Sequence, residues 1–305
     1  TQKGILVLNT PGKNTNSAAE HTLGLLLSML RNIPQAHINM KKGKWERHNF
    51  MGYELFKKSV GIVGLGNVGH RVAKFLKAFD MKIFGYDPYI SSDLFIRYGV
   101  IPCKSLTELA SKINILTVHV PLNEQTKNII NAKIFAGMQN ESFFINTSRG
   151  CIACEDSLLD ALNSKKIQSA AIDTWQNEPN PNPKLINHPK VLCTPHIGAS
   201  TYEAQEAIGK EVVSQVIKAI DSGMCDSPVN LPRSGGKQQE LTKLYSLLAE
   251  KLGSCAAQLL SFHPEHVEIF YRGDIANTNH DFIRLGFMKG YIGYTTKKHV
   301  SYVNA

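Results

Sequence analysis

The chain has 305 residues, 43% of them hydrophobic and 19% charged, the balance of a soluble globular protein of about two domains. Its most apolar run, residues 23–30, stops at Arg31 and Asn32, well short of the about 18 residues a membrane span needs, and no signal-peptide pattern opens the chain. The net charge of +9 is scattered, with no basic block and no basic aromatic helix, so no nucleic-acid partner is expected and the surface favours small anions instead.

In chain order, Gly4–Leu8 (GILVL) predicts a strand already under way, so the chain is expected to begin inside a larger protein. Ser17-Ala-Ala-Glu20 has capping-box spacing and predicts that a mostly buried helix starts there, to be kinked or ended by Pro34. Residues 40–52, polar, basic and aromatic, predict an exposed connection.

Short apolar strands then alternate with helices. Strands are expected at 59–64, 82–87, 115–120, 142–147, 169–173 and 191–195, and helices at 67–79, after Ser105, at 156–165 and at 201–222. That rhythm predicts an α/β fold, a doubly wound parallel sheet covered on both faces. Residues 226–240, with two Pro and two Gly, read as a linker, followed by a helix over 241–260, a strand over 267–271 and a weakly periodic tail.

The junction after the first of these alternating strands reads Gly64-Leu-Gly66-Asn-Val-Gly69, a G-x-G-x-x-G with a strand before it and a helix after it. Asp87 closes the next strand, 18 residues past Gly69. In that context Gly64 turns the chain, Gly66 admits a pyrophosphate, and Gly69 lets helix and strand approach. The N–H groups near Asn67 and Val68 attract the phosphates. Asp87 is suited to accept from a ribose diol and to repel a 2′-phosphate, so the cofactor expected is NAD rather than NADP.

Three polar residues fall at or beyond strand ends, where such a fold places its ligands: Arg149, Glu178 and His196. Arg can grip a carboxylate with two parallel hydrogen bonds, and His can take or return a hydroxyl proton while a carboxylate fixes its tautomer. Together they predict hydride transfer between a 2-hydroxy and a 2-oxo acid. The six cysteines (103, 151, 154, 193, 225, 255) lack framework spacing, which fits a reducing, cytoplasmic setting. Cys151 and Cys154 form a C-x-x-C without a second pair, so no metal site is expected.

The stretches KKGKWER, GIVGLGNVG, INTSRG, AIDTWQNEP and TPHIGAS, with LNTPGKNTNSAAEHTLGLLLSMLRNIPQA before them, closely resemble the D-2-hydroxyacid dehydrogenases over residues 3–230. Within that family the likeness is specifically to members that oxidise 3-phospho-D-glycerate to 3-phosphohydroxypyruvate at the start of serine biosynthesis. The resemblance implies a Rossmann nucleotide-binding domain, a partial substrate domain and a truncated C-terminal α+β regulatory segment. In that division, 1–16 is a remnant of the substrate domain, 17–198 binds NAD, 199–225 returns to the substrate domain, 226–240 links and 241–305 is regulatory.

The resemblance also implies roles for single residues. Arg149 holds the substrate carboxylate, and Glu178 with His196 forms the catalytic dyad. Cofactor contacts fall at Asn67, Val68, Asp87, Val120, Thr147, Ser148, Arg149, Asp173 (nicotinamide amide), His196, Ile197, Gly198 and Ala199. A homo-oligomer is expected, because the 23–30 helix offers an apolar surface and Trp45 resembles a residue that reaches the partner subunit in related dimers. Two other readings stand beside this one: another family member such as a glyoxylate/hydroxypyruvate reductase, and a non-enzymatic NAD-binding module like the corepressors built on this fold.

The chain departs from the family pattern in three places. Substrate-domain residues that precede this stretch in the family supply substrate contacts, so this chain alone is expected to bind NAD and turn over weakly or not at all. Cys154 stands where the family has a helix-starting Asp, and Lys57 where it has a Gly.

Overall fold

Runs rich in Val, Ile and Phe, each four to six residues long, become the central strands of a parallel sheet, because β-branched and aromatic side chains fit a surface buried on both faces. The computed structural model describes residues 4–222, 225–232, 239–260, 262, 264–277, 280–298 and 300–305. The chain folds as two compact units, one of Gly12–Gln205 and a second of Thr1–Pro11 with Glu206–Ala305.

In the first unit the strands are β1 (Ser59–Val63), β2 (Lys82–Tyr86), β3 (Ile101–Pro102), β4 (Ile115–Val118), β5 (Ser142–Asn146), β6 (Ile167–Ile172) and β7 (Val191–Cys193). They lie in the order β3-β2-β1-β4-β5-β6-β7, all parallel. The order reverses between β1 and β4, which opens a crevice at their carboxyl ends. Of the helices, α1 (Thr15–Leu30) and α3 (Gly69–Lys77) cover one face, with Leu26, Leu30, Val72 and Leu76 packed on Val60, Ile62 and Ile145. On the other face α5 (Leu106–Ser111), α6 (Ala132–Gly137) and α7 (Glu155–Asn163) bring Leu109, Phe135 and Leu158 against Leu116 and Phe144. The helices α2 (Ile33–Lys41) and α4 (Ser92–Tyr98) and the one-turn α8 (Pro183–Ile186) also belong to this unit.

Two features at the start of this unit differ from the sequence expectation. Helix α1 begins at Thr15 instead of Ser17, and Ser17 does not cap it: its Oγ lies 2.8 Å from Thr201 Oγ1. Thr15 Oγ1 instead donates to Gly12 O in the turn ahead, so the helix starts earlier. Pro34 neither kinks nor ends α1, which stops at Leu30; it occupies the first turn of α2, where its missing N–H costs nothing.

The second unit contains α9 (Tyr202–Ser222) from Glu206 onward, α10 (Gln239–Leu259) and α11 (Asp281–Thr296). Residues 4–8 form no strand. Leu8 makes one antiparallel bridge to Pro228, which lacks an N–H to extend a ladder, and the Asn230 side chain bonds Val7 N and Ile5 O at 2.8 Å in place of backbone. Val267–Tyr271 likewise carries no strand, so among the described residues the C-terminal segment is helical and not α+β. Among the described residues no strand lies beside it to pair with its β pattern, and Val267 and Phe270 stay exposed. The tail instead supplies α11, which runs alongside α10 with Gly286 against Ser246 O and Gly290 against Glu250 O. Of the expected linker, residues 233–238 lie outside the described residues.

Candidate active site

The glycine corner leaves β1 and enters α3. Gly64 has φ +87° and donates its N–H to Tyr86 O at 2.9 Å. A Cβ on Gly69 would stand 1.9 Å from Gly64 O, so only glycine lets the helix start this close to the turn. At Gly66 a Cβ would meet no atom within 4 Å, which leaves room over the corner for a ligand. Asn67 and Val68 stand at the entrance to α3. Asp87 follows β2 with both oxygens engaged, Oδ2 accepting from Leu65 N at 2.8 Å and Oδ1 from Tyr89 N at 2.9 Å. Its carboxylate is thereby fixed at the rim of a cleft of about 260 Å³ lined by Gly64, Gly66, Asp87, Tyr89, His119 and Val120. Burial pushes the His119 imidazole down to about 3, so it lines the cleft as a neutral ring.

The remaining predicted residues follow β5, β6 and β7. Thr147 Oγ1 lies 2.8 Å from Thr22 Oγ1, and Ser148 donates its hydroxyl to Val120 O, which ties the loop after β5 to the end of β4. Arg149 is exposed, its Nη1 donating to Ser148 O at 2.6 Å. Glu178 Oε2 lies 2.8 Å from His196 Nδ1, while Glu178 Oε1 accepts from Trp175 N at 2.9 Å. Burial raises the Glu178 carboxyl. The bonds from His196 and Trp175 and the charges of His196 and Arg149 outweigh that, so the group sits below the usual carboxylate range. Arg149, Glu178 and His196 are thus one electrostatic group at the carboxyl edge of the sheet, beside a cavity of about 340 Å³ lined by Trp175, Glu178, Cys193, Thr194 and His196.

Asp173 sits under this group, fully buried at the end of β6. Its Oδ1 accepts from Thr194 Oγ1 at 2.6 Å and Ile197 N at 2.9 Å, and its Oδ2 from Gly198 N at 3.0 Å. The carboxylate therefore spans the two peptides that follow His196, which itself has φ +55°. Ala199 O accepts from Gln205 Nε2 at 3.1 Å and closes the loop onto α9 within the first unit. Sequence reasoning missed the polar face of α1: Ser17, His21 and Thr22 reach Thr201, Asp173 with Thr194, and Thr147. The signal available was three polar side chains, at i, i+4 and i+5, on the same helix whose later turns, Leu23–Leu30, are almost entirely apolar.

Residues 23–198 match the family model of the D-isomer specific 2-hydroxyacid dehydrogenase, NAD binding domain. The chain belongs to that family. Its residues 241–305 match the D-3-phosphoglycerate dehydrogenase intervening domain. D-3-phosphoglycerate dehydrogenase of Methanocaldococcus jannaschii is 39% identical over 305 residues, all of this chain and 58% of the relative. That of Bacillus subtilis is 35% identical over the same spans, 100% and 58%. The chain thus spans little more than half the length of these relatives. The structure of Aquifex aeolicus D-lactate dehydrogenase complexed with NAD and lactic acid is similar at a TM-score of 0.65 and 29% identity, over 73% of this chain and 71% of that one.

Proposed function

We propose that the chain carries the NAD-binding and proton-transfer machinery of an NAD-dependent D-3-phosphoglycerate dehydrogenase, which oxidises 3-phospho-D-glycerate to 3-phosphohydroxypyruvate, the first step of serine biosynthesis. The observation that carries this reading is the 2.8 Å contact of His196 Nδ1 with Glu178 Oε2, made within the field of Arg149 at the sheet's carboxyl edge. The match of residues 241–305 to the intervening domain supports the choice within the family.

The site fits the dinucleotide. Gly66 leaves open space above the corner, Asn67 and Val68 present the start of α3 to the phosphates, and the pinned Asp87 carboxylate stands where a ribose diol would donate. NAD supplies the hydride acceptor when bound. With Nδ1 committed to Glu178, His196 uses Nε2 to take the hydroxyl proton of the substrate, and the Glu178 carboxylate stabilises the imidazolium that results. Arg149 binds the substrate carboxylate and draws electron density from the carbonyl as it forms. In reduction the same imidazolium returns its proton.

The reading extends to a homo-oligomer, with Trp45, 79% exposed, reaching a second copy, and to a reducing, cytoplasmic setting. Sedimentation tests the first. The activity is tested by steady-state assay with NAD and NADP on 3-phosphoglycerate, D-lactate, glycerate and, in reverse, glyoxylate and hydroxypyruvate. The chain and a protein of the relatives' full length are compared, with NAD titrated into each. Preference for 3-phosphoglycerate and NAD supports the reading; preference for glyoxylate reduction, or NAD binding without any turnover at full length, overturns it.

A further inference from the structure

We propose that His21, on α1, is a positioning residue that holds the buried Asp173 carboxylate in place and through it sets the conformation of His196. His21 Nε2 lies 3.2 Å from Asp173 Oδ1 and 3.3 Å from Thr194 Oγ1. The hydroxyl hydrogen of Thr194 is already given to Asp173, so both atoms facing the ring nitrogen are acceptors, and Nε2 carries the proton they share. The ring therefore donates at Nε2.

Asp173 is the centre of this arrangement. A fully buried carboxylate must be met by donors on every side, and this one has the Thr194 hydroxyl, two backbone N–H groups and His21. The two N–H groups belong to Ile197 and Gly198, immediately after His196. A non-glycine residue at φ +55° persists only where its surroundings over-determine it, and the grip of Asp173 on the next two peptides is that restraint. Of these four donors, His21 alone comes from outside the β6–β7 region. It fixes the carboxylate against a helix instead of against its own loop. Gly198 keeps the loop close to that helix: a Cβ there would stand 3.2 Å from Asp173 Oδ2 and 3.9 Å from Ala18 Cα.

The chain of contacts runs from His21 to Asp173, to the Ile197 and Gly198 peptides, to the His196 backbone, and to the 2.8 Å bond between His196 and Glu178. His21 touches none of the reacting atoms in this scheme. Its kinetic consequence rests on the proposed function, whereas its effect on the His196 ring does not.

The test uses one pair of variants of the same chemistry and different reach. The Gln amide nitrogen of His21→Gln extends to about the position of Nε2 and keeps a donor on Asp173, while that of His21→Asn falls short. NMR ring-nitrogen shifts of His196, measured without cofactor or substrate, should match the parent in His21→Gln and report a weakened Glu178 bond in His21→Asn. In the turnover assay His21→Asn should lose about 10- to 100-fold in kcat with KM little changed, and His21→Gln should recover most of it. Should His21→Asn fail to fold, His21→Leu, close in bulk to the ring, is read in the same way. A His196 spectrum identical to the parent in the folded short-reach variant overturns the proposal. A changed spectrum in a protein that turns over no 2-hydroxy acid upholds the positioning role and overturns the proposed function instead.

Discussion

Glu178 Oε2 meets His196 Nδ1 at 2.8 Å, yet both side chains are 39% exposed. An ion pair this open to water contributes about 0–1 kcal/mol to stability, too little to account for it as a structural device. Proton transfer is a different matter, since a positioned acid–base group is typically worth ~10²–10⁴-fold in rate.

The two magnitudes separate the roles. Glu178→Gln and His196→Asn should each change the unfolding free energy by less than about 1 kcal/mol while kcat falls ~10²–10⁴-fold and NAD still binds. Asn is the apt replacement at 196, because it tolerates the left-handed φ of +55° that His196 adopts. Denaturant titration and steady-state kinetics on the same preparations check this, and a large stability loss with unchanged kcat would reverse the assignment.

Asp173 has the opposite character. Burial alone would raise its carboxyl; the bonds from His21, Thr194 and the Ile197 N–H, with the His21 charge, bring it down to about 2. A carboxyl held below its unfolded value of about 3.9 stabilises the fold above that pH and gives up the contribution as pH falls toward 2. The expected loss is about 2 kcal/mol between roughly pH 4 and pH 2. Asp173→Asn should lower stability at pH 7, because its amide cannot accept on both sides, and should remove that part of the acid slope. Urea midpoints of both proteins across pH 2–6 read the difference, which must shrink as the medium becomes more acidic.

The sheet was legible because its signal is local. Strands of four to six apolar residues fall within one or two residues of the expected positions, and the G-x-G-x-x-G is bounded by the right elements. Arg149, Glu178 and His196 announce themselves as polar residues at or beyond the ends of apolar runs. Other features depend on partners that no short window contains. GILVL and Val267–Tyr271 have strand composition, but among the described residues the first gains only one isolated bridge, Leu8 to Pro228, and the second no ladder. Helix α11 shows no clear hydrophobic periodicity because two of its four buried positions, Gly286 and Gly290, pack by backbone approach and carry no side chain, leaving Phe282 and Ile283 as its buried large residues. His21 is one of several polar residues in the first two turns of α1, and its meaning appears only when residue 173 is folded against it. Lys57, where the family pattern has Gly, keeps the glycine-like backbone at φ +58°.

Two glycines of the nucleotide corner should separate binding from folding. Gly66→Ala adds a methyl where no atom stands within 4 Å, so stability should hold or rise by up to about 1 kcal/mol as the unfolded chain loses freedom. NAD affinity should nonetheless fall by about tenfold or more, because the methyl occupies the space left for the pyrophosphate. Gly69→Ala places its methyl 1.9 Å from Gly64 O, against backbone that cannot swing away. It should cost about 1–3 kcal/mol or more in stability, with NAD affinity lost alongside. Thermal unfolding paired with NAD titration checks both, and equal effects of the two substitutions would contradict the distinct spaces around them.

Helix α7 offers a gain instead of a loss. Its N-cap, Cys154, has the extended backbone a cap needs (φ −72°, ψ 114°) but makes no side-chain bond to the helix start. Elsewhere in the same unit the bond is made: Ser105 accepts from Glu108 N at 3.1 Å and Asn131 from Lys133 N at 3.1 Å. A thiol is a poor acceptor for this purpose, and a carboxylate both accepts and sits favourably at the positive end of the helix dipole. Repulsion from Glu155 and Asp156 in the first turn works against the new charge, but on an accessible surface salt screens it. Cys154→Asp should therefore raise stability by about 1 kcal/mol, whereas Cys154→Ala should leave it nearly unchanged. A urea midpoint that moves up for Asp alone, at constant slope, is the expected result; equal midpoints for the two variants would show that the backbone at 154 does not present a side chain to the helix start.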